Sequence, residues 1–297
     1  MSLFLGALTV GLILALVSLG VFLSFRVLRS LDLTTDGTFT TGAAVTGAVM
    51  MAGGHALLAT IAGGVAGMLC GVLTGFLHTR WRVDVVLAGI LMSTALYSVD
   101  IWVMQGGNLS LAGHVTLFDQ VASLFGGAPH DPATLVVLLL LVFGIGFCFA
   151  TFAVTDLGLA LRATGSSPRM AKAMAIDTGL ATTIGLALAN GCIGLSGALF
   201  AQYQGFVNIQ MGIGMIVTGL ASVILGEALF SQRNIRRKIL ASLLGAITFR
   251  MLIAVALRAG MDPNALKLVT AVFVLAALTL PKAFRRFSAP RARSAHG

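Results

Sequence analysis

Residues 156–178 read DLGLALRATGSSPRMAKAMAIDT, the longest charged segment inside an otherwise apolar chain. On each side lies a run of about twenty apolar residues, the length that crosses the hydrocarbon core of a bilayer. Within the segment, Ser167 is a good N-cap and Pro168 follows at the first helical position, where a missing N–H costs nothing. This predicts a short helix from Pro168 to about Ala175, with Met170, Ala173 and Met174 on one face and Arg169 and Lys172 beside it. Asp177 or Thr178 then caps a long helix beginning near Gly179. The order is therefore membrane helix, turn, short amphipathic helix across the membrane surface, and membrane helix. An ordinary basic loop would share this composition. The methionine face separates the two readings, because flexible thioethers suit docking into a partner's groove.

The rest of the composition agrees with a membrane setting. Of 297 residues, 58% are hydrophobic and only 10% charged, and the mean hydropathy is +1.00. A soluble domain carries roughly a quarter charged residues. The fold class is all-α, a polytopic membrane helical bundle of about eight or nine transmembrane helices. The net charge of +9 does not point to nucleic acid, because the basic residues sit at the ends of apolar runs. The N-terminal MSLFLGALTV lacks a basic region, so the first run reads as a retained span rather than a cleaved signal. Cys70, Cys148 and Cys192 fall inside apolar runs and read as small buried hydrophobes, with neither a disulfide nor a metal site indicated.

Taken in order, spans are expected at residues 3–25, 56–77, 85–104, 135–154, 179–203, 212–230, 239–257 and 266–280. A less regular second segment covers residues 31–51, either crossing as a broken helix or re-entering. Residues 105–134 are polar and Gly-rich, and a short turn carries Met261, Asp262 and Pro263. The membrane region thus covers residues 1–281, and residues 282–297 form a basic tail expected to be disordered. With the N-terminus outside and nine crossings, sixteen of the nineteen Lys and Arg residues fall on the inner side. Positive-inside bias of that size fixes the orientation: N-terminus outside, C-terminus cytoplasmic, multi-pass in the plasma membrane.

Three groups of residues stand out within the membrane region. Gly63, Gly67, Gly71 and Gly75 recur every fourth residue, so a neighbouring helix backbone can approach closely. The face serves either packing within the chain or subunit dimerisation, and internal packing is the preferred reading. Asp32 and Asp36, with Thr34, Thr35, Thr38, Thr40 and Thr41, are costly at membrane depth unless they face protein or a water-filled cavity. They line a pathway, or they cap a helix at the inner interface with Thr hydroxyls bonding back to the backbone. Asn190, Gln202, Gln204, Asn208 and Gln210 form a polar patch assigned to the outer end of one span, and Asp100 and Gln105 do the same for another. Neutral amides can bind a polar solute or simply join helices. Glu227 is expected to pair with Arg233 or a nearby basic residue.

The chain contains no GxxxxGK[ST], so it does not bind ATP through a P-loop. Its five histidines lack paired ligand spacing, and no GxSxG appears. An enzyme is therefore not indicated.

ALRATGSSPRMAKAMAID (160–177) resembles the cytoplasmic coupling segment of bacterial ABC-importer permeases of the branched-chain amino acid and simple-sugar type. FRVLRSLDLTTDGTFTTGAAV (25–45), ILMSTALYSVDIWVMQGGNLSL (90–111) and LSGALFAQYQGFVNIQMGIGMIVTGLASVILGE (195–227) are similar to its tryptophan/tyrosine-type permease branch. The resemblance spans about residues 8–280. It implies a homodimeric permease in the bacterial inner membrane, with two ABC ATPase subunits below and an extracytoplasmic solute-binding protein above. ATP and Mg would sit on the ATPase, and this chain would bind no cofactor. Ser167, Pro168, Arg169, Met170, Lys172, Ala173 and Met174 would couple to the ATPase. Asp32, Asp36, Thr38 and Thr41 would mark an interrupted helix beside the translocation path, with Asn190, Gln202 and Gln204 toward its outer mouth. Where relatives often carry Gly, this chain has Ala175. The solute would be small and polar, an amino acid and an aromatic one by resemblance alone. An ion- or proton-coupled transporter or channel, using Asp32 and Asp36 without an ATPase, is the competing reading.

Overall fold

The computed structural model describes residues 2–125, 132–230, 234–260 and residue 272. The expected span at 266–280 apart from residue 272, the turn at Met261–Pro263, Arg233 and the tail 282–297 lie outside these residues. Helix α1 (Ser2–Val21) continues as a π-helical turn over Phe22–Val27. It is followed by α2 (Thr35–Met51), α3 (Ala56–Arg80) and α4 (Val85–Met104). After β1 (Asn108–Ser110) come α5 (Leu117–Phe125), α6 (Pro132–Phe152), α7 (Asp156–Ser166) and α8 (Pro168–Ala173). The described chain ends with α9 (Thr178–Gln204), β2 (Phe206–Asn208), α10 (Met215–Leu229) and α11 (Ile235–Arg258).

Six of these helices are long and apolar enough to cross a bilayer. Two more, α2 with 17 residues and α10 with 15, lie in the membrane layer but are short. At 1.5 Å per residue they measure about 26 and about 22 Å, against a hydrocarbon core of about 30 Å.

Helices α1 and α9 form the centre, their apolar windows being 83% and 78% buried, whereas α4 and α6 are only 22% buried and belong to the outer ring. On the outward sides of α3, α4 and α6 the exposed large side chains are mostly Leu, Ile, Val and Phe, with Tyr97 and Trp102 on α4, as suits a lipid-facing surface. Cys148 also lies there, exposed, while Cys70 and Cys192 are buried as expected.

Two ends of the bundle differ in character. At one, β1 and β2 pair antiparallel, with Asn108 opposite Asn208 and Ser110 opposite Phe206. At the other, the ends of α1, α3 and α10 and the starts of α9 and α11 gather Arg26, Arg29, Arg80, Arg82, Arg162, Arg169, Lys172 and Arg236–Lys238. We call these the ribbon face and the basic face.

The expected spans fall close to the observed helices, but the segment between α6 and α9 is more helical than a turn. Thr155 caps an eleven-residue α7, its hydroxyl accepting from the Gly158 N–H. The following helix stops at Ala173 rather than Ala175, because Ala175 adopts a left-handed φ of 60°.

Close packing of α3 on α9 and α2 depends on its glycines. A Cβ on Gly67 would collide with the Asn190 carbonyl oxygen, and one on Gly71 with the Leu186 carbonyl oxygen. At Gly75 it would lie 2.8 Å from the Thr183 Cα, and at Gly63 against the Thr46 hydroxyl. All four expected packing glycines therefore face helices of the same chain.

Candidate functional site: a buried polar join and a basic-face helix

The chain between α1 and α2 does not leave the protein. Arg29, at φ 54°, ends the π-helical turn in a left-handed conformation, and residues 30–34 re-enter between α3 and α9. Asp32 anchors this passage: its Oδ1 accepts from the Thr34 N–H at 2.9 Å and its Oδ2 from the Asn190 Nδ2 at 2.6 Å. The Asn190 Oδ1 in turn accepts from the Thr38 hydroxyl at 2.8 Å. Thr34 meets Thr74 of α3 at 2.9 Å, hydroxyl to hydroxyl. Asp32, Thr34, Thr38, Thr74 and Asn190 are all buried. The side chains of Asp32, Thr34, Thr35 and Thr38 all have partners along this interruption, as a bilayer interior demands, whereas the Ser30 Oγ at its start is buried without one among the described residues.

Asn190 is twelve residues into α9, about 18 Å from its start at 1.5 Å per residue. The network therefore lies near mid-membrane. The sequence assigned Asn190 to the outer end of its span, and the position of α9 corrects that.

Asp36 acts at a distance. Its Oδ2 accepts from the Gly214 N–H at 3.0 Å and its Oδ1 from the Ile216 N–H at 2.9 Å. It thus caps α10 rather than its own helix, and a carboxylate there complements the positive end of the α10 dipole. Residues 209–214 descend from the ribbon to this point, so α2 and α10 both begin inside the membrane layer and run in opposite directions. Both short helices owe their length to this join. Each oxygen of Asp32 and Asp36 already accepts one hydrogen bond from the protein.

Asp100 is different. Although α4 is an outer helix, Asp100 is 1% exposed, and neither carboxylate oxygen has a hydrogen-bond partner among the described residues. Thr41 and Cys70 lie beside it, but the Thr41 hydroxyl donates instead to the Gly37 carbonyl at 3.0 Å. An unpartnered carboxylate at this depth is expensive to keep. In the sequence it was one polar residue in an outer patch, and nothing there signalled its isolation.

Toward the ribbon face, Gln202 joins three helices. Its Nε2 donates to the Thr60 hydroxyl at 2.7 Å and its Oε1 accepts from the Leu117 N–H at 2.8 Å. Gln204, two residues on, is exposed. The structure therefore brings Asp32, Thr38 and Asn190 into one network, sets Asp36 and Thr41 beside it on α2, and leaves Gln202 and Gln204 apart.

On the basic face, Ser167 accepts from the Met170 N–H at 3.4 Å and Pro168 opens α8. Asp177 caps α9 through the Gly179 and Leu180 N–H groups at 2.9 and 3.0 Å. Ala171 packs inward, whereas Met170 and Met174 stand 65% and 72% exposed. Arg169, Lys172 and Ala173 are exposed beside them. Glu227, at the end of α10, pairs with Arg26.

The fold has known counterparts. It matches one chain of PsaBC from Streptococcus pneumoniae, solved in complex with Fab, with a TM-score of 0.54 at 15% identity, over 93% of this chain and 89% of that one. In sequence, the chain is 32% identical over 278 residues to a tyrosine transport system permease protein of Clostridioides difficile (strain R20291), covering 94% of this chain and 91% of that protein. It is 33% identical to the uncharacterized protein RP368 of Rickettsia prowazekii (strain Madrid E), over 95% of this chain and 99% of that one. A model of the branched-chain amino acid transport system permease component matches residues 3–278. With a single family model spanning the whole bundle, the chain belongs to the permease components of the branched-chain amino acid transport system family, and is a multi-pass membrane protein.

Proposed function

We propose that this chain is the membrane subunit of an ATP-binding-cassette importer carrying an amino acid, of the aromatic kind, inward. The observation that carries the reading is α8: a capped helix on the basic face, with Met170 and Met174 directed outward and Arg169 and Lys172 around them. An exposed methionine pair on a folded helix is an anchor for a partner's groove. The positive-inside rule assigns the basic face to the cytoplasm, where an ATPase binding ATP and Mg would meet Ser167, Pro168, Ala173 and the side chains named above. The N-terminus is then outside and the protein lies in the bacterial inner membrane.

In this reading two copies of the chain frame the path. A solute-binding protein delivers cargo at the ribbon face, near Gln202 and Gln204. The join of α2 and α10, with Asp32, Asp36, Thr38, Thr41 and Asn190, lies beside the path as the element that shifts when ATP draws the coupling helices together. The aromatic amino acid follows from similarity to the tyrosine permease. Ion coupling through Asp32 or Asp36 would have to share or displace the hydrogen bond that each of their oxygens already accepts.

Met170→Asp/Met174→Asp tests the assignment of α8. Both side chains are exposed, so the variant should fold and elute as the wild type does, yet fail to co-purify the ATPase. Full recovery of the ATPase by the folded variant would remove α8 as the contact.

A further inference from the structure

A cavity of about 720 Å³ opens on the basic face between the π-helical end of α1, α7, α10 and α11. Arg26, Arg29, Arg162, Lys238, Glu227 and Ser166 line it. Arg26 is taken up by Glu227, the one ion pair among the described residues. Arg29, Arg162 and Lys238 therefore face the cavity with no carboxylate partner among those residues, and the Arg162 Nε is buried without a hydrogen-bond acceptor. This is an excess of donors and positive charge around an empty volume.

Arg162 also lines a second space. A narrow apolar cleft runs from it between Phe22 of α1, Phe149 and Phe152 of α6 and Ile239 of α11. Helix α6 belongs to the outer ring, so the cleft leads from the charged cavity toward the lipid-facing side. The cleft itself has room for only about 20 Å³, so an amphiphile would seat its anionic head among the cations and leave its acyl chains in the bilayer beside the phenylalanines. Basic pockets between membrane helices on the cytoplasmic side suit anionic phospholipid headgroups for this reason.

We propose that this cavity binds the headgroup of one anionic phospholipid of the inner leaflet. Its phosphate is held by Arg29, Arg162 and Lys238, and Ser166 lies at the rim to hydrogen-bond the headgroup. The site lies away from the exposed Met170 and Met174 side chains of α8, and its occupancy does not depend on what the permease carries.

Native mass spectrometry of the purified full-length permease, offered phosphatidylglycerol or phosphatidylcholine of matched chains, tests it. The wild type should retain phosphatidylglycerol about tenfold better, and Arg29→Gln/Arg162→Gln should lose that preference. Arg162→Lys should keep most of it. Arg80→Gln/Arg82→Gln, which removes two exposed cations of the same face outside the cavity, should change nothing. Millimolar inorganic phosphate should leave the lipid bound, because the acyl chains hold the headgroup at the membrane surface beside the cavity. If the double variant fails to fold, Lys238→Gln is read in its place. Equal retention of the two lipids, equal loss in the Arg80/Arg82 control, or displacement by phosphate would each overturn the proposal, the last by making it a small-anion site.

Discussion

The Asp36 carboxylate accepts a hydrogen bond from the Ile216 N–H at 2.9 Å, across 180 residues of sequence. One side chain at the start of α2 thereby fixes where α10 begins. Removing it should loosen both helices at once. Asp36→Ala should lower stability by about 2 kcal/mol, at the upper end for a lost cap because the freed N–H groups are away from water. Asp36→Asn, which keeps an acceptor, should lose less than half of that. Thermal unfolding in detergent reads both, and equal melting temperatures for Asp36→Ala and wild type would refute the capping role.

Asn190 is the partner of Asp32 near mid-membrane. Asn190→Leu leaves a buried carboxylate facing hydrocarbon and should cost about 3 kcal/mol. Adding Asp32→Asn removes the charge and should restore part of the loss, so the two changes are non-additive. Strict additivity in a double-mutant cycle would mean that the pair does not interact as described.

Much of this was legible locally and little of it at long range. Ser167, Pro168 and Asp177 announce α8 and the start of α9 through cap chemistry, which operates within three residues. The same chemistry was present and overlooked at Thr116 and Asp119. There the Asp119 Oδ2 accepts from the Thr116 N–H and the Thr116 hydroxyl accepts from the Asp119 N–H, a capping box that starts α5 inside a stretch read only as polar and Gly-rich. Thr155 before Asp156 gave a comparable signal for α7. No local pattern could place Asp36 on α10, Arg26 on Glu227, or Asp100 without a partner. Those depend on which helices meet, and apolar periodicity is nearly uniform around membrane helices.

Neighbouring glycines on α3 should behave oppositely. A methyl group at Gly67 meets the Asn190 backbone, whereas at Gly64 the nearest atom is the Leu195 Cβ at 3.6 Å, an ordinary contact. Gly67→Ala should destabilise by about 2 kcal/mol through forced separation of α3 and α9. Gly64→Ala should be close to neutral. Yields of monodisperse protein and melting temperatures will separate the two, and equal tolerance of both would contradict the packing described.

Ala175 pays for its left-handed φ of 60° at the end of α8. Ala175→Gly should relieve that strain and stabilise the folded protein by up to about 1 kcal/mol. The gain should show as a raised melting temperature. A lowered one would mean that the methyl group, not the backbone, matters there.

The most direct test of the central claim is uptake of labelled tyrosine by the permease co-reconstituted in proteoliposomes with the ATPase and solute-binding protein that the proposed function calls for. ATP trapped inside, with Mg, should drive accumulation that persists when protonophore and ionophore collapse all ion gradients, and that Met170→Asp/Met174→Asp abolishes. Accumulation that requires an ion gradient and proceeds without ATP would contradict the account.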